Sequence, residues 1–208
     1  MTTDLDARGA EHLLRADGQE DVCLALYRPS TGSRRTTALL ADLVLPLPGE
    51  RTVHGTASFQ GSYVVRAASL AAANDLGVAL LHSHPGGIGW QGMSGVDRDT
   101  ERSYAHVAEI ITGQPLVGMT LAGDRTWSAR TWDPDRGHRD AESVRVVGPG
   151  FRVHWNNVVR PAPVVTKLLL TPLDVGAGNK ASIAVACGEI LVFGIRLPAK
   201  AVRPVPVD

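Results

Sequence analysis

The chain has 208 residues, of which 44% are hydrophobic, and its 21 basic and 21 acidic residues give a formal net charge of zero. This length and composition are typical of one globular domain with a substantial core and some additional chain. A neutral chain offers no electrostatic reason to expect a nucleic-acid or membrane partner, and we expect neither.

The two cysteines, Cys23 and Cys187, lie far apart and neither belongs to a CxxC pair, which argues against a disulfide scaffold or a cysteine-based metal site. The polar N-terminus lacks the basic and apolar regions of a secretory signal. No stretch approaches the roughly 20 apolar residues that span a bilayer. We therefore expect a soluble cytoplasmic protein.

Turn-forming residues divide the first 150 positions into short segments, in which bounded apolar runs predict strands and helically spaced apolar residues predict helices. In chain order we expect a helix over 8–16, a strand over Val22–Tyr27, a hairpin loop over 29–32, a β-rich segment over Thr36–Leu47, an edge strand over Thr56–Phe59, a helix over Ser62–Asn74 and a strand over Val78–Ser83. The series continues with a glycine-rich loop over Pro85–Met93, a polar helix from Ser94 to about Thr112, a hairpin of Leu116–Ala122 with Arg125–Thr131, a polar loop over 134–139 and a strand over Val144–Val147.

The order β, β, α, β, α, β, β predicts an α+β domain over residues 8–148, with a mixed central sheet flanked by helices. The character of the chain changes beyond that point, where proline interrupts short apolar segments. We expect residues 149–208 to form a β-rich C-terminal extension, with strands near Val164–Leu170 and Ile183–Ile195.

The most informative segment joins two histidines to a carboxylate. His82 and His84 alternate at the end of an apolar strand, so both side chains point to the same face. Pro85 follows them, and Asp97 lies in the first turn of the next predicted helix. Two imidazoles and one carboxylate can bind zinc and leave a fourth position open, which is typical of a catalytic rather than a structural site.

Each half of this pattern also has an ordinary structural interpretation. His82 and His84 taken alone are compatible with structural histidines at a strand end. Ser94 and Asp97 have the spacing of a capping box, in which the serine caps the backbone of the residue three positions later. Asp99 is an alternative carboxylate. The close succession of both halves after a buried strand favours the metal site.

The run His82-Ser83-His84-Pro85, followed by Ser94-Gly95-Val96-Asp97, resembles the motif of the JAMM (MPN or JAB) metallo-isopeptidase family, in its prokaryotic type. The resemblance implies a cytidine-deaminase-like sheet architecture and a Zn²⁺ ion held by His82, His84 and Asp97. It also implies that Ser94 stabilises the oxyanion.

The family adds a glutamate at the entrance of an early buried strand, which acts as the general base and then as the general acid. Glu20 matches that position, although Cys23 stands where the family usually has glycine. Asp21 and Glu50 remain alternatives. We interpret Cys23 itself as a core residue rather than a nucleophile.

The resemblance implies zinc-dependent hydrolysis of a peptide or isopeptide bond at the C-terminus of a ubiquitin-like modifier. It also implies a ubiquitin-activating-like adenylyltransferase as an associated partner. The loop between the histidines and Ser94 is slightly longer than in the eukaryotic deubiquitinase form, and we expect Trp90 within it to contact substrate. Two alternatives stay open. A DNA-repair-associated branch has a similar motif but typically carries Asn where this chain has Ser83, and other members are non-catalytic scaffolds or interaction modules.

Overall fold

The computed structural model describes residues 1–32, 36–54, 56–133, 135–149 and 151–156, together with the backbone of three later strands. The chain divides into two compact units, Met1–Pro161 and Ala162–Asp208. The described part of the first unit contains, in chain order, α1 (Thr3–Leu13), β1 (Val22–Thr31), β2 (Thr36–Val44), β3 (Arg51–His54), β4 (Thr56–Phe59), α2 (Gly61–Ala72), β5 (Gly77–His84), α3 (Gly95–Thr112), β6 (Val117–Ala122), β7 (Trp127–Asp133), β8 (Gly137–Asp140), β9 (Ser143–Val146) and β10 (Arg152–Trp155).

Six strands form the central sheet, in the order β2-β1-β5-β6-β7-β8. The pairing of β5 with β6 is parallel, with α3 as the crossover, and the other four pairings are antiparallel. The strands β3 and β4 form a separate hairpin, and β9 pairs with β10. A mixed sheet flanked by helices confirms the expected α+β class.

Alternation along the strands separates two buried clusters on the two faces of the sheet. Cys23, Leu81 and Met119 pack on one face with α1 and β9, whereas Leu24, Val78 and the buried side chains of α2 pack on the other. Among the described residues, no helix is both long and apolar enough to cross a membrane.

The register between β1 and β5 positions the functional segment. Val22 is opposite His82, and every residue from Val22 to Tyr27 has a partner on β5. Just before this ladder, Asp21 N donates to Ser83 Oγ at 2.9 Å and Ser83 N donates to the carbonyl oxygen of Asp21 at 3.0 Å. Residues opposite each other share a face, so the segment preceding Val22 approaches the face that carries His82.

Several predicted boundaries were wrong. The first helix begins at Thr3 rather than residue 8, because the Thr2 hydroxyl caps it by accepting from Leu5 N at 3.3 Å. The expected hairpin loop over 29–32 is largely strand, since β1 continues to Thr31. Pro29 is tolerated because the pairing with β5 ends at Tyr27.

The polar segment expected to be a loop over 134–139 instead includes β8, an edge strand with mostly exposed side chains. The strands β3 and β10 were not expected. In the second unit, β11 (Pro172–Leu173), β12 (Lys180–Ala186) and β13 (Ile190–Arg196) form an antiparallel sheet. The segment expected as a strand over Ile183–Ile195 therefore contains two paired strands, and the strand expected over Val164–Leu170 lies outside the described residues.

Candidate metal centre

The two histidines lie at the end of β5, the strand between β1 and β6 at the centre of the sheet. His82 and His84 face the same side, and their Nε2 atoms are 3.3 Å apart. The His82 residue is only 8% exposed, whereas His84 is half-buried. Burial of β5 on both faces explains why the two rings are held at one place rather than free in solvent.

Asp97 reaches the histidines from the first turn of α3. Its Oδ1 lies 3.7 Å from His82 Nε2 and its Oδ2 lies 3.5 Å from His84 Nε2. A capping box fixes the carboxylate, because Asp97 Oδ2 accepts from Ser94 N at 2.9 Å while Ser94 Oγ accepts from Asp97 N at 3.1 Å. The capping interpretation of this segment is thus confirmed, and the same capping box directs the carboxylate at the histidines.

The separations of these atoms fit a single small ion. Tetrahedral coordination with bonds of 2.0–2.2 Å places neighbouring ligand atoms about 3.3 Å apart. One ligand atom from each of His82, His84 and Asp97 lies within 4.8 Å of the others. The cluster could therefore hold a metal ion with little rearrangement. Asp99, the alternative carboxylate, is exposed and does not belong to it.

The electrostatics of the cluster favour the metal-binding forms of His82 and Asp97, whereas His84 is paired with the Asp97 carboxylate. Burial lowers the pKa of His82 to about 3, with a smaller opposing effect of Asp97. Hydrogen bonding to Asp97 raises the pKa of His84. Burial alone would raise the pKa of Asp97, but His84, His82 and Ser94 hold it well below its usual range. A neutral His82 beside an ionised Asp97 is the combination that a divalent cation requires.

Gln91 orients His84. Its Nε2 donates to the carbonyl oxygens of Ile88 and Gly89 at 2.9 and 3.0 Å, which turns its Oε1 toward His84 Nδ1 at 3.4 Å. An amide oxygen only accepts, so His84 Nδ1 donates to it, and Nε2, the nitrogen that faces Asp97, is the one that would bind a metal. No local sequence pattern signals this role of Gln91.

The predicted base Glu20 lines a cleft that also contains His82, Asp97 and Thr100. Burial raises the pKa of Glu20, an effect that His84 opposes. Among the described residues, no arginine pairs with Glu20. The structure thus brings Glu20 into one cleft with His82 and Asp97, and close enough to His84 for their charges to interact.

The two alternative bases are already engaged elsewhere. The Asp21 carboxylate is 1% exposed and forms ion pairs with Arg51 and, at 3.4 Å, with Arg15. Glu50 binds Arg66, with Oε1 at 2.8 Å from Nε and Oε2 at 2.6 Å from Nη2. Neither carboxylate belongs to the cluster.

Trp90 and Ser94 occupy different positions relative to the cluster. Trp90 is half-buried and lines a neighbouring cleft with Arg98, Met93 and His138 rather than the cleft that contains His82. Ser94 is exposed at the start of α3. Its hydroxyl accepts from Asp97 N through a lone pair, so the hydroxyl hydrogen can still donate.

The remaining candidates are core residues. Cys23 is fully buried, and burial raises its pKa to about 12. Trp127 and Trp132 are buried, and their indole N–H groups donate to Asp6 at 2.7 Å and to Glu101 at 2.6 Å. This agrees with packing rather than a binding platform.

No protein-family model matches the chain, and no curated protein has a significant match to it. The chemistry of the centre is therefore inferred from its own residues and their geometry.

Proposed function

We propose that this protein is a zinc-dependent peptidase or isopeptidase of the JAMM/MPN type that acts at the C-terminus of a ubiquitin-like modifier. The observation that carries the proposal is the convergence of His82, His84 and Asp97, with separations of 3.3–3.7 Å, beside a cleft that Glu20 lines together with His82 and Asp97. The mixed sheet with helices on both faces supports the JAMM/MPN architecture, because it presents the histidines at a strand end.

The chemistry of each side chain indicates its proposed role in the reaction. His82, His84 and Asp97 would hold zinc, which when bound lowers the pKa of a water molecule toward about 7 and polarises a carbonyl. Glu20 accepts a proton from the attacking water and donates one to the leaving amine. Its raised pKa suits both roles, since it holds a proton more readily than an ordinary glutamate. Ser94 donates a hydrogen bond to the developing oxyanion.

Metal content tests the ligand assignment. We expect the purified protein to bind about one zinc ion per chain, and His82→Ala combined with His84→Ala to abolish binding. The matched control is His54→Ala combined with His106→Ala, which removes two exposed histidines outside the cluster. Full metal retention in the first double variant would remove the basis of the proposal.

Activity tests the base and the substrate class. A panel of ubiquitin-like modifiers, each fused through its C-terminus to a reporter, measures cleavage by the zinc-loaded protein. We expect Glu20→Gln to retain zinc and lose cleavage, while Glu50→Gln, which alters an acid outside the cluster, retains both. Full activity of Glu20→Gln would show that another group acts as the base.

The same panel separates the enzyme from the non-catalytic alternative. A scaffold would bind a modifier or a partner protein without cleaving it. Zinc binding together with no cleavage of any peptide- or isopeptide-linked fusion would favour the scaffold, whereas cleavage that depends on both His82 and Glu20 would establish the hydrolase.

A further inference from the structure

The serine between the two histidines binds the chain next to the proposed base. Ser83 is fully buried, and because side chains alternate along a strand, it points away from the face of His82 and His84. Its hydroxyl accepts from Asp21 N at 2.9 Å, while Ser83 N donates to the carbonyl oxygen of Asp21 at 3.0 Å. Ser83 therefore holds the residue that follows Glu20 through both its backbone and its side chain.

This contact marks the end of the regular β1–β5 ladder, in which Val22 and His82 are the last paired residues. In a hydrogen-bonded antiparallel pair, the two residues exchange two bonds between N–H groups and carbonyl oxygens. At the next position Ser83 N follows this rule, but the Asp21 N–H donates to the serine hydroxyl instead. The Ser83 side chain thus sets the direction in which the chain leaves the ladder.

That direction determines the position of Glu20. The Asp21 nitrogen is bonded covalently to the Glu20 carbonyl carbon, and the peptide unit is planar, so a fixed Asp21 N–H also fixes the plane that contains the Glu20 Cα. Glu20 lines the cleft that contains His82 and Asp97.

The carboxylate of Asp21 anchors the other side of the same residue. Its Oδ1 accepts from Val22 N at 2.7 Å, and it forms ion pairs with Arg51 and, at 3.4 Å, with Arg15. These contacts hold the Asp21 side chain, whereas the peptide group shared with Glu20 is held by the Ser83 hydroxyl.

We infer that Ser83 is a positioning residue for Glu20. Its hydroxyl fixes the peptide plane between Glu20 and Asp21, which holds the Glu20 side chain in the cleft beside the histidines. The segment from His82 to His84 thus directs two candidate ligands to one face and supports the proposed base with the residue between them. The inference rests on the proposed function of Glu20, but the fixed peptide plane can be measured in the metal-free protein.

The first measurement is hydrogen exchange of the Asp21 amide in the metal-free protein, followed by NMR. The Leu24 amide, which donates to Tyr63 Oη at 2.9 Å, is the internal reference for any general loss of stability. We expect slow exchange of Asp21 in the wild-type protein and in Ser83→Thr, which keeps the hydroxyl. In Ser83→Ala the buried N–H loses its acceptor, and we expect its exchange relative to Leu24 to be at least about tenfold faster.

Two results of this measurement would overturn the inference. One is an Asp21 amide that exchanges as fast as an exposed amide in the wild-type protein, which decides the matter whether or not any variant folds. The other is equal exchange of Asp21, relative to Leu24, in Ser83→Ala and in the wild-type protein.

The second measurement compares kcat, KM and zinc content, with a modifier fusion that the wild-type protein cleaves. Because a misplacement of about 1 Å can lower a catalysed rate about a hundredfold, we expect Ser83→Ala to lower kcat roughly tenfold to a hundredfold. KM and zinc content should change little, and Ser83→Thr should retain most of kcat. The control is Ser103→Ala, which removes an exposed hydroxyl that donates to the carbonyl oxygen of Asp99 at 2.8 Å and should leave all three quantities unchanged.

The outcomes distinguish this inference from the proposed function. Undiminished kcat in a folded Ser83→Ala would overturn the role of Ser83 and leave the hydrolase untouched. Loss of zinc from that variant would do the same, because the hydroxyl would then act on the neighbouring ligands rather than on Glu20. The expected exchange rates, together with no cleavage of any fusion by the wild-type protein, would support the anchoring by Ser83 and count against the hydrolase.

Discussion

Ser94 and Asp97 exchange two hydrogen bonds across the first turn of α3, and the carboxylate oxygen that accepts from Ser94 N also lies 3.5 Å from His84 Nε2. Asp97 thus serves as both the cap partner of the helix and the candidate metal ligand. Its rotamer is set by the helix start, so a metal ion would find the carboxylate already oriented.

These two roles of Asp97 can be separated by substitution. We expect Asp97→Asn to weaken zinc binding at least tenfold because the ligand charge is lost, while the amide oxygen still caps α3. Ser94→Ala should do the reverse and lower the free energy of unfolding by about 1 kcal/mol, the usual cost of losing a cap. Chelator competition and urea unfolding of the metal-free proteins measure the two effects. Undiminished zinc affinity in Asp97→Asn would contradict the ligand assignment.

Gln91 should contribute to metal binding without touching the ion. We expect Gln91→Met to weaken zinc binding roughly tenfold or more, because His84 Nδ1 loses its hydrogen-bond acceptor. The control is Ile88→Ala in the same loop, where the replaced side chain is 82% exposed. Equal zinc affinities for the two variants, by the same competition assay, would show that the contact between Gln91 and His84 is incidental.

Gly118 should be intolerant of any side chain. A Cβ at this position on β6 would overlap the carboxylate of Glu101, which is held by Arg130 and Trp132 and cannot move aside freely. We expect Gly118→Ala to lower the free energy of unfolding by about 1–3 kcal/mol, the usual range for overpacking. Gly86→Ala, where the added methyl group meets open space, is the control. Similar urea midpoints for both variants would contradict the tight packing.

Cys23 should be inert in the folded protein. Thiol reagents attack the thiolate, and burial raises the pKa of Cys23 to about 12, so at about pH 8 it is neutral as well as inaccessible. In a Cys187→Ser background, we expect mass spectrometry to detect no labelling of the native chain and complete labelling in denaturant. Rapid labelling of the native chain would place Cys23 outside the core.

The sequence predicts those parts of the fold and site that depend on local periodicity. The alternation of His82 and His84 at the end of a buried run indicates a shared face, and the spacing of Ser94 and Asp97 indicates the helix start. Both signals span only a few residues and need no tertiary context. The edge strand β8 was missed because its exposed polar side chains lack an apolar face, and its pairing with β7 is supplied by the sheet.

The buried polar residues next to the site cannot be predicted from local sequence patterns. Glu101 and Arg130 are 29 positions apart in the chain, and each looks like an ordinary charged residue of an amphipathic helix or a strand. Their burial depends on the crossover that lays α3 over β7. The contacts of Thr120 likewise depend on the register of β6 against β5, and those of Gln91 depend on the path of the loop after Pro85.

The hydrogen bonds between Asp21 and Ser83 limit where the chain can tolerate insertions and deletions. The β1–β5 ladder starts at this point, and Glu20 stands one residue before it on the chain. Inserting or deleting one residue between Glu20 and Tyr27 would move Glu20 to the opposite face or break the ladder. Relatives that keep the same chemistry should therefore carry their insertions and deletions outside the segment from Glu20 to Tyr27, because the length of this segment sets the position of Glu20 relative to the histidines.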